Sequence, residues 1–431
     1  MAIYPTPLPH ERLNVFFGEL FREMRKADPS TYGAFLARAE EEFKRTGYRQ
    51  TISEESVENI LIVRLDEFGD IILVSGFLRE VRANFPRARI TLVVKPLALP
   101  LVEFCPYVND VLTSDINSFN GTFPEMLEKV ALFCKNNLWQ KKFSLAFSPK
   151  CGGNSFPGLL MVWLSGARER IGYDVSPYRN FFNENIEEQK TIGEFLLNKM
   201  IKPHRTMTFQ VEKNFYILTE SGFKVNQRHL ELFYTEADFL KAQELLEDIP
   251  PNYKKVLIGL GASEANRKYP IEKYLSAFKK LAKRNLVFVV LGGKSEFNDA
   301  TYLEKNLPRG KVLNFVGKTT LRETEAVISQ SDFYIGNVTG IMHMAAAAKV
   351  PVLAIYREAI DRQNIFPQNL SEALNFPPWQ TKAIILRPEH PLGECANLPP
   401  RYGHCHQKKA HCITQITPQQ IIAGFEKLTT L

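Results

Sequence analysis

An α/β fold carrying two parallel sheets is what the order of apolar runs predicts. Short β-rich runs, NILIVRL (59–65), RITLVV (89–94) and FSLAF (143–147), alternate with segments of helical periodicity such as DIILVSGFLREVRANFP, the pattern of βαβ units in a parallel sheet. The alternation resumes in KVLIGLG (255–261), LVFVVLGG (286–293), KVLNFVG (311–317), DFYIGN (332–337) and VPVLAIY (350–356), each ending near a glycine or a polar turn. The length of 431 residues exceeds what one hydrophobic core usually supports. Together these observations predict two Rossmann-like domains facing each other across a cleft.

The boundaries follow from changes in texture. Residues 1–55 form the expected N-terminal helical extension: Leu13, Phe16, Phe17, Leu20, Phe21 and Met24 recur at three- and four-residue steps, an amphipathic stripe. A second helix is expected in TYGAFLARAEEEFKRTGY. Residues 56–240 are then the first Rossmann-like domain and 241–431 the second. The polar stretch from Val225 to Tyr253, ending in EDIPPNYKK, reads as an irregular linker.

Composition narrows the function. With 54 Lys+Arg against 47 Asp+Glu the formal charge is +7, a mild excess that suits phosphorylated ligands or an anionic membrane face. No basic run supports a nucleic-acid partner. The start MAIYPTPLPHERLNVFF lacks the order of a signal peptide, and no apolar window is long enough to span a bilayer. The expected location is the cytoplasm, with the inner membrane as a peripheral contact. Six cysteines in so long a chain make no disulfide scaffold.

Ligands of open α/β sheets bind beyond the carboxyl ends of the strands, and three such ends carry candidate chemistry. After the first strand comes RLDEFGD, with Gly69 allowing close approach and Asp70 either a base or the N-cap of the following helix. Asp66 and Glu67 read there as solvated turn charges. After VLIGLG, the segment ASEANRKYP places Ser263, Arg267 and Lys268 before a proline-led helix, where a lysine can meet a phosphate. After VVLGG, Glu296 stands where a carboxylate can accept sugar hydroxyls or simply favour a helix dipole. The stretch IGNVTGIMHMAAAAKVPVLAIY sets Thr339 and Gly340 between a strand and a helix expected to begin near Ile341, an anion site at a helix N-terminus. His343 lies one turn in, as a donor or as a packed core residue. FVGKTT imitates the end of a P-loop, but the glycine required five residues earlier is Val312.

In combination and order, ILIVRLDEFGD, GLGASEANRKYP, VVLGGKSE, FVGKTTLRETEAVISQSD and IGNVTGIMHMAAAAKVPVLAIY resemble the heptosyltransferase family, glycosyltransferase family 9, from about Asn59 to the C-terminus. The resemblance implies the GT-B fold and an inverting transfer of a sugar from an ADP-heptose-like nucleotide donor to a glycan or glycolipid acceptor at the inner membrane face. No cofactor is required for catalysis in that implication. By position it implies that Asp70, beside Gly69 on the acceptor side, is the general base. Lys268 would contact the donor diphosphate, Glu296 the nucleoside or sugar, and Thr339, Gly340 and His343 the diphosphate and sugar. One position departs from the family's Asp-Ser/Thr-Gly: Val338 stands where the Asp is usual, with Asn337 one place earlier. Two other classes stay open, a protein O-glycosyltransferase of autotransporter type and a non-catalytic sugar-nucleotide-binding protein.

The C-terminal stretch 390–412 holds Cys395, Cys405 and Cys412 with His390, His404, His406 and His411, half of the six cysteines and half of the eight histidines. Thiolate and imidazole are zinc or iron ligands, so the three cysteines are candidate ligands of a structural metal, against reduced thiols in an irregular loop. The tail TPQQIIAGFEKL is expected to be a closing helix that crosses back to the first domain.

Overall fold

The computed structural model describes residues 57–116, 121, 123–151, 155–173, 196–202, 207–361, 371–396 and 407–431. The two helices expected within 1–55 lie outside the described residues, as does Cys405.

Two six-stranded parallel sheets form the molecule. The first runs β3-β2-β1-β4-β5-β6, with β1 Asn59–Arg64, β2 Arg89–Val94, β3 Asp110–Thr113, β4 Leu145–Ser148, β5 Glu169–Tyr173 and β6 Lys199–Ile201. The second runs β12-β11-β10-β7-β8-β9, with β7 Lys254–Gly259, β8 Leu286–Leu291, β9 Val312–Asn314, β10 Phe333–Asn337, β11 Val352–Ile355 and β12 Ala383–Leu386. Every pairing is parallel, in register Ile60↔Ile90 and Ile60↔Leu145 in the first sheet and Val256↔Phe288 and Phe333↔Val256 in the second. Each sheet therefore reverses direction once, between β1 and β4 and between β7 and β10, and a doubly wound sheet binds ligands outside the carboxyl ends of its strands at such a switch point.

The central strands are the ones with continuous apolar sequence, because helices cover both of their faces. Ile60, Leu61 and Ile62 of β1, and Phe288, Val289 and Val290 of β8, have no exposed surface. The helices are α1 Phe68–Asn84, α2 Phe123–Asn137, α3 Phe156–Leu164, α4 Gln210–Glu220, α5 Glu236–Leu246, α6 Ile271–Leu281, α7 Phe297–Asn306, α8 Leu321–Ser329, α9 Gly340–Ala347, α10 Glu372–Asn375 and α11 Pro418–Thr430.

Two expectations are corrected. The stretch from Val225 to Tyr253 is not irregular throughout: it contains α5, started by a capping box in which Thr235 Oγ1 accepts from the Asp238 N–H and Asp238 returns the bond to Thr235 N–H. Its apolar positions Ala242 and Leu246 are buried, but their spacing in a charged segment is too sparse to announce a helix. The closing helix α11 does not cross to the first sheet. Ile421, Phe425 and Leu428 pack with Val256, Ile258, Phe278 and Phe333 in the core of the second sheet, and Gly424 lets the helix lie against Leu353 and Ile384.

The two halves share a hydrophobic cluster, which includes Phe215 and Phe233 of the first and Met342, Tyr356 and Trp379 of the second, and are tied by specific polar contacts. Arg322 of α8 pairs with Glu103 at 2.6 Å and with Asp238 at 3.2 Å, the buried Lys213 of α4 donates to Asn375 Oδ1 of α10 at 3.1 Å, and the start of α1 meets the start of α9.

Candidate active site

The first half supplies a carboxylate. Asp70 lies in the first turn of α1, not at its N-cap, which is Glu67. The capping alternative for Asp70 is thus set aside. Asp70 keeps 30% of its side-chain surface, and its Oδ1 is 3.8 Å from Arg64 Nη2. Burial, and next the negative charge of Asp66, push its carboxyl up to about 6 against the pull of Arg64 and Lys150. Such a group is ionised at neutral pH and still has appreciable affinity for a proton, which suits a general base.

Asp66 is not the solvated turn charge its sequence suggests. It is buried between Arg64, at 2.6 Å, and Lys150 of the turn after β4. The convergence of a residue from β1 with one that follows β4 leaves no local signal in the sequence. Glu67, by contrast, is an exposed turn charge paired with Lys95.

The second half supplies a helix terminus. Beyond β10, Thr339 is the N-cap of α9, in extended conformation and without a side-chain cap bond, so no side chain caps the first N–H groups there. Gly340 begins the helix one residue before the sequence suggests, with the Phe68 ring packed against its Cα. A Cβ on Gly69 would lie 3.3 Å from Gly340 Cα and 3.5 Å from His343 Cδ2. His343 is 5% exposed, its Nδ1 has no hydrogen-bond partner among the described residues, and burial pushes its pKa down to about 4. It is therefore both packed and neutral at pH 7, able to donate or accept one hydrogen bond but not to bring charge.

Asn337 does not take over the role of an acid at position 338. Its side chain is wholly buried and fully used: Oδ1 accepts from Tyr269 N–H at 3.2 Å and Tyr274 O–H at 3.1 Å, and Nδ2 donates to Leu260 O at 2.8 Å and Gly261 O at 3.2 Å. It is a pin that fastens the end of β10 to the loop after β7. Val338 packs against the hydrophobic core.

That loop carries Lys268, whose Nζ is 2.6 Å from Asp299 in the first turn of α7. Asp299 was not singled out by its sequence, in which it is one acidic residue among several at a helix start. Glu296 accepts from Gly293 N–H at 2.9 Å and Ser295 O–H at 2.6 Å, and its carboxylate lies so near the β7 turn that a Cβ on Gly261 would come within 3.2 Å of Glu296 Cδ. Ser263 accepts from Arg267 Nη1 at 3.4 Å. Gly69 thus meets Gly340 and His343 directly, with Asp70 the next residue in the chain; the loop that carries Lys268 is fastened to β10 by Asn337, and Glu296 stands on the neighbouring turn beside Gly261.

Of the sequence-based set Cys395, Cys405 and Cys412, the first and last come together among the described residues, and Cys405 lies outside them. His411 joins Cys395 and Cys412, the three ligand atoms lying within 4.8 Å of one another. His411 Nδ1 is 3.6 Å from Cys395 Sγ and 3.5 Å from Cys412 Sγ, and the Leu392 N–H points at Cys412 Sγ from 3.4 Å. Residues on either side of His411 and Cys412 brace the Lys268 loop: Asn266 donates to Gln407 O and Tyr269 to Ile416 O, both at 2.7 Å.

Two doubly wound sheets whose switch points meet at one cleft are the frame of a GT-B glycosyltransferase. The description "Glycosyltransferase family 9 (heptosyltransferase)" matches residues 186–393. Lipopolysaccharide heptosyltransferase 3 of Escherichia coli (strain K12) is 22% identical over 364 residues, which cover 84% of this chain and 95% of that protein. Among solved structures, a glycosyl transferase family 9 protein from Veillonella parvula DSM 2008 superposes with a TM-score of 0.65 at 18% identity, covering 88% of this chain and 99% of that one. The E. coli heptosyltransferase WaaC with ADP gives 0.58 at 14% identity, covering 86% and 99%. The chain thus resembles glycosyltransferase family 9, the heptosyltransferase family, over residues 186–393 by the family match and over most of its length by its relatives, and these likenesses support a glycosyltransferase.

Proposed function

We propose that the chain transfers a heptose-like sugar from a nucleotide-diphosphate donor of the ADP-heptose kind to a hydroxyl of a lipopolysaccharide or related envelope glycan, with inversion at the anomeric carbon. The observation that carries this reading is the contact of the Gly69–Asp70 turn with the Gly340–His343 turn, which sets a base on one wall of the cleft and a helix N-terminus on the other. Asp70 accepts the proton of the acceptor hydroxyl. The hydroxyl oxygen bonds to the anomeric carbon on the face opposite the diphosphate, and the pair of electrons in the breaking C–O bond leaves on the β-phosphate oxygen. Lys268 and the first N–H groups of α9 meet that negative charge. The names of the E. coli relatives, one a lipopolysaccharide heptosyltransferase and one solved with ADP, support the donor and acceptor classes. Among the described residues no helix is long and apolar enough to cross a membrane, and the proposed workplace is the cytoplasmic face of the inner membrane, with the protein held peripherally by its acceptor.

The test is a thermal-shift screen over ADP-, GDP- and UDP-sugars, followed by NMR of the product's anomeric configuration. Retained configuration removes the single-displacement mechanism, and transfer to a serine peptide in place of a glycolipid moves the acceptor class. Lys268→Met is expected to raise the donor KM about 10- to 100-fold, the equivalent of one charge-assisted hydrogen bond of roughly 1.5–3 kcal/mol. An unchanged donor KM would place the diphosphate elsewhere.

We also propose that Cys395, His411 and Cys412 hold a structural metal of the zinc or iron class. Metal–sulfur and metal–nitrogen bonds of about 2.3 and 2.0 Å at tetrahedral angles give an S···N edge of about 3.5 Å, and the two edges here are 3.6 and 3.5 Å. The Leu392 N–H aimed at Cys412 Sγ orients that sulfur, as outer-shell hydrogen bonds orient metal ligands. Purified protein is expected to carry about one metal equivalent per chain by elemental analysis. Cys412→Ser should lose it and melt at lower temperature, whereas transfer should continue in EDTA for as long as the fold survives. Stoichiometric thiol labelling with no metal released would leave the cluster as plain thiols.

A further inference from the structure

Arg64 is a buried cation with a carboxylate on either side. Its side chain and that of Asp66 are 2% and 3% exposed, and Arg64 Nε is 2.6 Å from Asp66 Oδ2. The Nε–H is not aimed at that oxygen, so the contact acts through charge more than through a directed hydrogen bond. Arg64 Nη1 donates to Asn214 Oδ1 at 3.2 Å. The amide of Asn214 cannot turn freely, because its Nδ2 donates to Leu73 O at 2.8 Å, in the helix that bears Asp70. Two of the three guanidinium nitrogens are thus held by Asp66 and Asn214. The third, Nη2, stops 3.8 Å from Asp70 Oδ1, beyond hydrogen-bond reach.

The distance matters because arginine pairs with a carboxylate through two parallel hydrogen bonds when nothing restrains it. A bidentate pair would stabilise the ionised form of Asp70 and leave it a weak proton acceptor. We propose that Asp66 and Asn214 are positioning residues that hold Arg64 short of a direct, hydrogen-bonded pair with Asp70, so that this carboxylate keeps its affinity for a proton. The role rests on the reading of Asp70 as the base. The charged and titratable groups that act on Asp70 are Arg64 from β1, Asp66 and Glu67 from the β1–α1 turn, and Lys150 from the turn after β4; His343 of α9 lies beside the neighbouring Gly69. Of these only Arg64 and Lys150 are cations at neutral pH, and Lys150 is already paired with Asp66.

Titration of Asp70 is read directly by carboxyl ¹³C NMR of Asp-labelled full-length protein, the resonance being assigned by its absence in Asp70→Asn. Asn214→Ala changes no charge and frees Nη1; the Asp70 midpoint is expected to fall by about one pH unit as Arg64 closes on it. Asp66→Asn should shift it in the same direction and further, since it also removes a neighbouring negative charge. An unmoved midpoint in folded Asn214→Ala overturns the proposal, and that variant decides the matter even where Asp66→Asn fails to fold. Loss of the base reading is separable: transfer would then survive Asp70→Asn, while the midpoint shift in Asn214→Ala would stand.

Discussion

Asp70→Asn is expected to lower kcat by about 10²–10⁴-fold, the usual contribution of a positioned general base, with little change in donor KM. The donor contacts proposed for Lys268 and the start of α9 belong to the other half of the molecule, so the base can be removed without touching them. The pH dependence gives a second, independent reading. Asp70 works as a base only when ionised, and burial with the neighbouring Asp66 raises its carboxyl from 3.8 to about 6. The log of kcat/KM should therefore climb with unit slope below about pH 6 and level off above it, where an ordinary aspartate would level off near 4. The sign for stability is opposite. A carboxyl whose pKa is higher in the folded than in the unfolded state favours folding most when protonated, and that advantage is lost as pH rises from about 4 through about 6. At pH 7.5 the neutral amide of Asp70→Asn should thus leave the protein as stable as the parent, or raise its Tm by a few degrees, roughly. An inactive variant with a raised or equal Tm is the signature of a functional carboxylate; an inactive variant that melts early would point to a structural one. Unchanged transfer in Asp70→Asn would falsify the assignment outright.

Much of the frame could be read from the chain because the central strands of a parallel sheet are buried on both faces and leave continuous apolar runs, as in NILIVR and LVFVVL. The edge strands carry no such mark. DVLT of β3 and AIIL of β12 keep partial exposure along their length, and KMI of β6 is three residues long. None of these was distinguishable from loop. In the candidate site, glycines stand out in sequence because a close approach needs them locally, and Gly69 and Gly340 do lie against each other. What could not be read was partnership at long range. Asn214 is 150 positions from Arg64 and Lys150 is 84 from Asp66, and a buried ion pair looks in sequence like two surface charges. The same holds for Asp299 beside Lys268. His411 stood in a visible cluster, and its approach to two thiols depends on a fold that brings Cys395 next to Cys412.

Gly340→Ala is expected to cost about 10²-fold in kcat/KM, the scale of a displacement of about 1 Å at reacting groups. Two effects oppose each other here. Alanine is a better helix former than glycine by about 0.5–1 kcal/mol in a helix interior, so propensity alone makes the change harmless or mildly stabilising. Contact argues otherwise: a Cβ on Gly340 would overlap the edge of the Phe68 ring, and Phe68 is the first residue of α1, two positions ahead of Asp70. The ring has to turn away, the start of α1 has to shift, or the cleft has to open, and each of these moves the base relative to the helix terminus that would hold the diphosphate. Contact should win for activity, because Phe68 and Gly340 belong to different halves and the displacement falls between them; for stability the gain in propensity is set against the disturbed packing of Phe68 on the cluster the halves share. Phe68→Ala separates the explanations. If the methyl acts through the ring, Gly340→Ala in a Phe68→Ala background should recover most of the lost kcat/KM, a coupling well beyond the few tenths of a kcal/mol found between independent sites. If the two losses merely add, the start of α9 needs glycine for its own sake, as backbone that must come close to a phosphate, and the approach of the two turns is not what limits transfer.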